Sequence, residues 1–183
     1  MGAGILPTTI HNGKLYFLFG KENKYCDSPG WSDFGGGKDD NETFYQTALR
    51  ESTEEFTGFL GNQKDIQKLL SRGTYIIDNQ KYRMFLFHLD YDPKLPFYYN
   101  NNQQFLQKKL DPSIIKKTKI FEKSEIRWIC IDELSKMRNK FRSFFRFSVD
   151  KLLQDKEEIY NFIQKRLYKK SYNHSKTRKN FLK

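Results

Sequence analysis

Two cysteines in 183 residues, Cys26 and Cys130, are too few for a disulfide scaffold, so stability must come from a packed core and a reduced, intracellular setting is expected. Long apolar runs are also missing. The longest span only a few residues, such as Gly2 to Pro7, which excludes a bilayer-crossing helix, and no membrane partner is expected. The N-terminus lacks the basic flank and apolar stretch of a secretion signal, and Leu6 stands where a myristoylation signal needs Ser or Thr. A soluble, cytoplasmic protein with no obligate protein partner is expected. Aromatics are plentiful: 17 Phe and 11 Tyr supply enough apolar area for a sizeable core, and the length suits one domain with a helical appendage.

Acidic residues are absent from Lys165 to Lys183, which carries eight Lys and Arg. That segment accounts for eight of the eleven net positive charges and leaves +3 for the rest of the chain. Tyr168, Tyr172, His174 and Phe181 are interleaved with it. Basic residues mixed with aromatics suit a polyanion such as RNA, through phosphate contacts and base stacking; a frayed, solubilising tail has the same composition. Lys169, Lys170, Lys176, Arg178 and Lys179, with Lys116, Lys117 and Lys119 upstream, are the candidate RNA contacts.

Strand signals cover Ile5 to Ile10 and Leu15 to Phe19 around an Asn12-Gly13 hairpin turn, then Trp31 to Phe34, Thr74 to Ile77, Tyr82 to Leu89 and Ile126 to Ile131. Helical patterns cover Glu42 to Phe56, capped by Asp40 and Asn41, then Asp65 to Leu70 and a turn opening at Asp132. A long helix is expected from Phe144 to Leu167, with Phe147, Leu152, Ile159 and Ile163 facing inward. Pro96 to Thr118 gives no clear pattern. Strands around a central helix make a mixed α/β (α+β) domain over residues 1–140, followed by a terminal helix over 141–168 and a basic, flexible tail over 169–183.

The chemistry concentrates in Gly35 to Phe59. At 100° per residue, Glu51, Glu54 and Glu55 fall within about a 100° arc, opposite an apolar face read as Tyr45, Ala48, Leu49 and Phe56. Like charges at i, i+3 and i+4 weaken a helix, so folding does not ask for them. A hard divalent cation does, because Mg²⁺ or Mn²⁺ needs oxygen ligands from a rigid element. The glycine run before the helix lets backbone approach phosphate oxygens, and Arg50 can hold a neighbouring carboxylate in place.

These residues resemble the signature of the Nudix hydrolases: Gly36, five residues, Glu42, seven residues, Arg50-Glu51, two residues, then Glu54-Glu55. Two positions depart from it. Ser52 replaces an aliphatic residue, and the closing glycine, Gly58, comes one residue late, which reads as a longer helix exit. The resemblance implies a Nudix fold, a mixed sheet sandwiched between helices, and Mg²⁺- or Mn²⁺-dependent cleavage of a nucleoside diphosphate-linked substrate by water. It implies that Glu51, Glu54 and Glu55 are metal ligands, that Arg50 orients a ligand carboxylate and that Glu42 supports the loop. Gly36 and Gly37 would place backbone near the phosphates. Glu125, or else Glu55, would act as general base. Trp31 is expected as scaffold or substrate contact, and Tyr25, Tyr98 and Tyr99 as possible base-stacking groups.

The run from Trp31 to Gly37, followed by a polar loop, looks like the Nudix proteins of large DNA viruses, whose poxvirus-type members decap mRNA. That likeness and the basic tail imply capped mRNA as substrate, in host cytoplasm or a viral factory. Diphosphoinositol or dinucleoside polyphosphates are alternative substrates, and a non-catalytic RNA-binding module is an alternative of another class.

Overall fold

The sheet grows from an N-terminal hairpin, β1 (Gly2–His11) and β2 (Lys14–Glu22), turned at Asn12-Gly13. Both turn residues take positive φ, 49° and 74°, as a two-residue hairpin turn requires. The computed structural model describes residues 1–117 and 121–180, with backbone alone for Lys116 and for 169–180. β1 is central. It runs parallel to β6 (Tyr82–His88) from Gly2↔Tyr82 to Thr8↔His88, and antiparallel to β4 (Phe34–Gly37) through its first half and to β2 through its second. β2 also pairs with β3 (Trp31–Ser32) and β7 (Lys123–Cys130), while β5 (Tyr75–Asp78) edges β6.

Alternation along the strands feeds two cores. Ala3, Ile5, Leu18 and Phe34 face α1 (Phe44–Phe56), α2 (Gln63–Ser71) and α3 (Lys94–Lys109), meeting Ala48, Leu49, Phe56, Ile66, Leu70 and Tyr99. Leu6, Phe17, Phe19 and Met84 point the other way. There they meet Leu134 of α5 (Ile131–Met137), Val149 and Leu152 of α6 (Arg146–Gln154), and Ile159 and Ile163 of α7 (Lys156–Asn180). The result is a mixed sheet between two helical layers, as expected. Phe34 stacks on Phe56 with centroids 3.7 Å apart, which fixes α1 against the glycine strand β4. Truncating a buried Phe of this kind costs about 3–5 kcal/mol.

Several boundaries differ from the sequence reading. α1 starts at Phe44, because Thr43 and Gln46 form a reciprocal capping box that outcompetes Asp40 and Asn41. The helix expected from Phe144 to Leu167 is two helices. Asp155 closes α6 through its N–H to the Lys151 carbonyl, and its own carbonyl accepts from Ile159 to open α7. Phe147 is exposed, and Val149 takes the inward position. Pro96 to Thr118 holds most of α3 and α4 (Pro112–Lys117). Pro93 and Pro96 sit where a helix has no N–H to satisfy, so they start α3 instead of breaking it. Among the described residues no helix is long and apolar enough to cross a membrane, and both cysteines are free thiols.

Candidate active site

β4 and α1 meet at the glycine run. A Cβ on Gly36 would lie 2.5 Å from the Glu51 carboxylate, so glycine is required for that side chain to lie against the strand. Gly4 and Gly35 make room for a different pair beneath it. Asp33, fully buried, accepts from the Tyr82 hydroxyl at 2.9 and 3.0 Å through its two oxygens. A Cβ on Gly4 would meet both groups at 2.5 Å. Burial raises the Asp33 carboxyl to about 7, against the pull of Lys123 and the Tyr82 hydrogen bond. Gly37 has nothing within 4 Å of where its Cβ would stand.

Arg50 organises the rim. Its Nε and Nη2 bind the two oxygens of Glu42 at 2.7 and 2.9 Å, its Nη1 binds Glu51 at 2.8 Å, and Nη2 also reaches the Gly37 carbonyl at 3.0 Å. The Arg50 hydrogen bonds push Glu42 down to about 2, and Thr47 adds a 2.9 Å donor to the same carboxylate. This bidentate fork ties the loop before α1 to the helix and aims Glu51 at the strand.

A cleft of about 360 Å³ opens beside this frame. Gly35–Gly37 and Glu51 line one part of it, and Glu22, Tyr25, Asp27, Ile115, Glu122 and Arg142 line the rest. Four of these are carboxylates and one is a guanidinium, so a phosphate could approach only with a cation to bridge the like charges. The donor chemistry, hard oxygens on a rigid helix and facing loop, fits Mg²⁺ or Mn²⁺.

The three helix carboxylates do not converge. Glu51 is nearly buried at the cleft, and Glu54 is half exposed with its Oε2 3.8 Å from Arg50. Glu55 turns inward: on the helical wheel it lies about 40° from Glu51 and about 20° from Ala48, so it joins the buried stripe of Ala48 and Ser52. Ala48 thus belongs beside Glu55, not opposite it. Among the described residues no three His, Cys, Asp or Glu side chains already form a metal cage. Glu55 Oε1 lies 3.2 Å from the Lys123 ammonium, while Oε2 is buried without a hydrogen-bond partner. Burial raises the Glu55 carboxyl, opposed by Lys123. Burial also works against the Lys123 charge, yet Glu55 and Glu22 outweigh it and hold the ammonium above its ordinary value.

The helix exit is not longer than usual. α1 ends at Phe56, and Thr57 itself takes the left-handed conformation (φ 48°) that favours glycine, with its N–H on the Glu54 carbonyl. Ser52 is buried and donates to the Leu49 carbonyl at 3.2 Å, so the polar residue at an aliphatic position satisfies itself within the helix.

Other sequence candidates scatter. Glu125 lies on β7 opposite Lys21, 3.6 Å from its ammonium, and Glu122 is the residue of that segment that lines the cleft. Tyr99 is fully buried and donates to the Glu55 carbonyl at 2.7 Å, so it cannot stack on a base. Trp31 packs in the core beneath the Lys21 side chain. Tyr98 is exposed on α3 beside Phe97, and Tyr25 lines the cleft with Lys24 over its ring. Lys117 is exposed at the end of α4. The side chains of Lys116, Lys119, Lys169, Lys170, Lys176, Arg178 and Lys179 lie outside the described residues. Glu22, Lys123 and Glu122 carried no sequence signal, since only the β2–β7 register brings the first two together.

No protein-family profile matches the chain. An uncharacterized protein of Acanthamoeba polyphaga mimivirus is 45% identical over 56 residues, a stretch covering 29% of this chain and 18% of that protein. Among solved structures, the C. elegans Ap4A hydrolase binary complex is 15% identical over 82% of this chain and 93% of its own, with a TM-score of 0.47. The M. smegmatis Nudix hydrolase RenU is 15% identical over 86% of both chains, with a TM-score of 0.53. With its mixed sheet between helical layers, the chain has the Nudix hydrolase fold.

Proposed function

We propose that the protein is a metal-dependent Nudix pyrophosphohydrolase whose substrate is capped mRNA. The observation that carries the chemistry is the Arg50 fork, which spends its charge on Glu42 and aims Glu51 into a glycine-backed, acid-lined cleft. Glu42, held at about 2, stays ionised and offsets the Arg50 charge beside Glu51, where a divalent ion would bind. A divalent cation bound there would neutralise phosphate charge and make a water more acidic. Gly36 makes room for the Glu51 carboxylate against the strand, and Glu122, lining the same cleft as Glu51, would take the proton of the attacking water. Water attacks a cap phosphate, 7-methyl-GDP leaves, and the RNA keeps a 5′-monophosphate.

The size of the cleft supports a long substrate. At about 360 Å³ it is at the small end for small-molecule sites, so it takes the reacting pyrophosphate and leaves the remainder outside. The eight basic residues from Lys165 to Lys183 then suit the RNA body. The test compares capped RNA with free cap dinucleotide and diadenosine tetraphosphate in Mn²⁺, with and without residues 169–183. Capped RNA should be turned over best, should be competed by uncapped RNA, and should lose rate with salt and with the deletion. Equal turnover of the dinucleotide and capped RNA would remove the RNA part of the proposal. Binding of RNA with no hydrolysis of any of the three would leave a binding module.

A further inference from the structure

Beneath the cleft, three side chains from distant parts of the chain enclose one ammonium. Lys123 is fully buried, and its Nζ lies 2.5 Å from Glu22 Oε1, 2.9 Å from Ser32 Oγ and 3.2 Å from Glu55 Oε1. An ammonium has three N–H donors, and these are its three partners. Its stem crosses β2 at Gly20, where a Cβ would stand 2.9 Å from Lys123 Cδ, so the strand is cut away to admit it. Arg142 adds a second cation, 2.8 Å from the same Glu22 oxygen. Two carboxylates and two cations meet there, with the buried Asp33 carboxyl close enough to act on both cations. The ammonium occupies the side of Glu55 that a metal would have to take, and any cation at Glu55 Oε1 would meet it almost in contact.

We propose that Lys123 is a built-in cation that takes the place of a metal at Glu55, so that divalent ions are held on α1 by Glu51 and Glu54 without Glu55. The inference deepens the metal-dependent reading above and rests on it for the role of Glu51 and Glu54. It departs from what the helix motif implies, which is three ligands. Lys123 is then a positioning residue: it fixes a positive charge between Glu22 and Glu55 at all metal concentrations, and it leaves Glu55 Oε2 without a hydrogen-bond partner.

The experiment is a Mn²⁺ titration of the full chain, counting bound ions by the electron paramagnetic resonance signal of free Mn²⁺. Lys123→Met removes the ammonium and leaves Glu22 and Glu55 facing each other with Arg142. It should bind one more Mn²⁺ per chain than the wild type, and its lowered melting temperature should recover in Mn²⁺. An unchanged count would overturn the inference. In protein that keeps Lys123, Glu51→Gln should weaken Mn²⁺ binding about tenfold or more, whereas Glu55→Gln should change it less than about twofold. Equal losses would also overturn it, whether or not Lys123→Met folds. A wild type that takes no Mn²⁺ would sink the metal-dependent reading and, with it, the placing of ions on Glu51 and Glu54; one Mn²⁺ gained by Lys123→Met would still support Lys123 as the cation that takes the metal's place at Glu55, and none gained would overturn it.

Discussion

Asp33→Asn is the perturbation whose size the structure sets most directly. Asp33 is 1% exposed, and burial lifts its carboxyl from 3.8 to about 7. A carboxyl whose pKa is higher folded than unfolded stabilises the fold when protonated. Its contribution is therefore present below about pH 4 and lost as pH rises toward 7, where the unfolded chain has released a proton that the folded chain still holds. About three pKa units correspond to about 4 kcal/mol between pH 4 and pH 8. Asparagine fits the same slot: its oxygen can accept from the Tyr82 hydroxyl and its nitrogen can donate back, without ever ionising. Urea unfolding of both proteins across pH 4–8 should give curves that meet at pH 4 and separate by pH 8, with the variant more stable by up to about 4 kcal/mol. In melting temperature that is roughly 10 °C for a chain of this size. Parallel curves from pH 4 to 8 would refute a buried Asp33 carboxyl raised to about 7 beneath the glycine strand.

Three further outcomes follow from the site. Gly36→Ala drives a Cβ into the Glu51 carboxylate and should lower turnover about a hundredfold, while Gly37→Ala, with open space around it, should leave turnover within about twofold. Arg50→Lys replaces a fork that reaches Glu42, Glu51 and the Gly37 carbonyl with a single point charge; kcat should fall about tenfold or more, with the fold retained by circular dichroism. Tyr99→Phe deletes the hydrogen bond to the Glu55 carbonyl and should cost about 1 kcal/mol in urea unfolding, leaving nucleotide binding unaltered, as expected of a core residue.

What the sequence made legible was what is local. The spacing from Gly36 to Glu55 located the site's helix and the partners Arg50 and Glu42, because those contacts lie within one loop and the turns after it. The Asn12-Gly13 turn and the alternation in β1, β2 and β6 were equally local. Long-range pairing was not legible. Glu55 reads as a ligand on the helical wheel, yet a lysine 68 residues later in the chain takes it, through the β2–β7 register that also sets Lys123 opposite Glu22. Glu125 looked well placed before a strand, but the shift in register between Lys21 and Glu22 leaves it beside Lys21 while Glu122 lines the cleft. Tyr99 and Tyr98 are adjacent in sequence and opposite in fate, because α3 buries one face against β7 and leaves the other exposed. The break at Asp155 was hidden because a residue that caps one helix and opens the next costs the apolar period almost nothing.

The most direct test of metal-dependent phosphoanhydride cleavage by the α1 cleft is release of nucleotide from cap-labelled RNA in Mn²⁺ by the wild type and by Glu51→Gln. The wild type should release 7-methyl-GDP, stop on addition of EDTA, and exceed Glu51→Gln by at least about a hundredfold. Equal release by both proteins, or release that continues in EDTA, would contradict the assignment of the chemistry to this cleft.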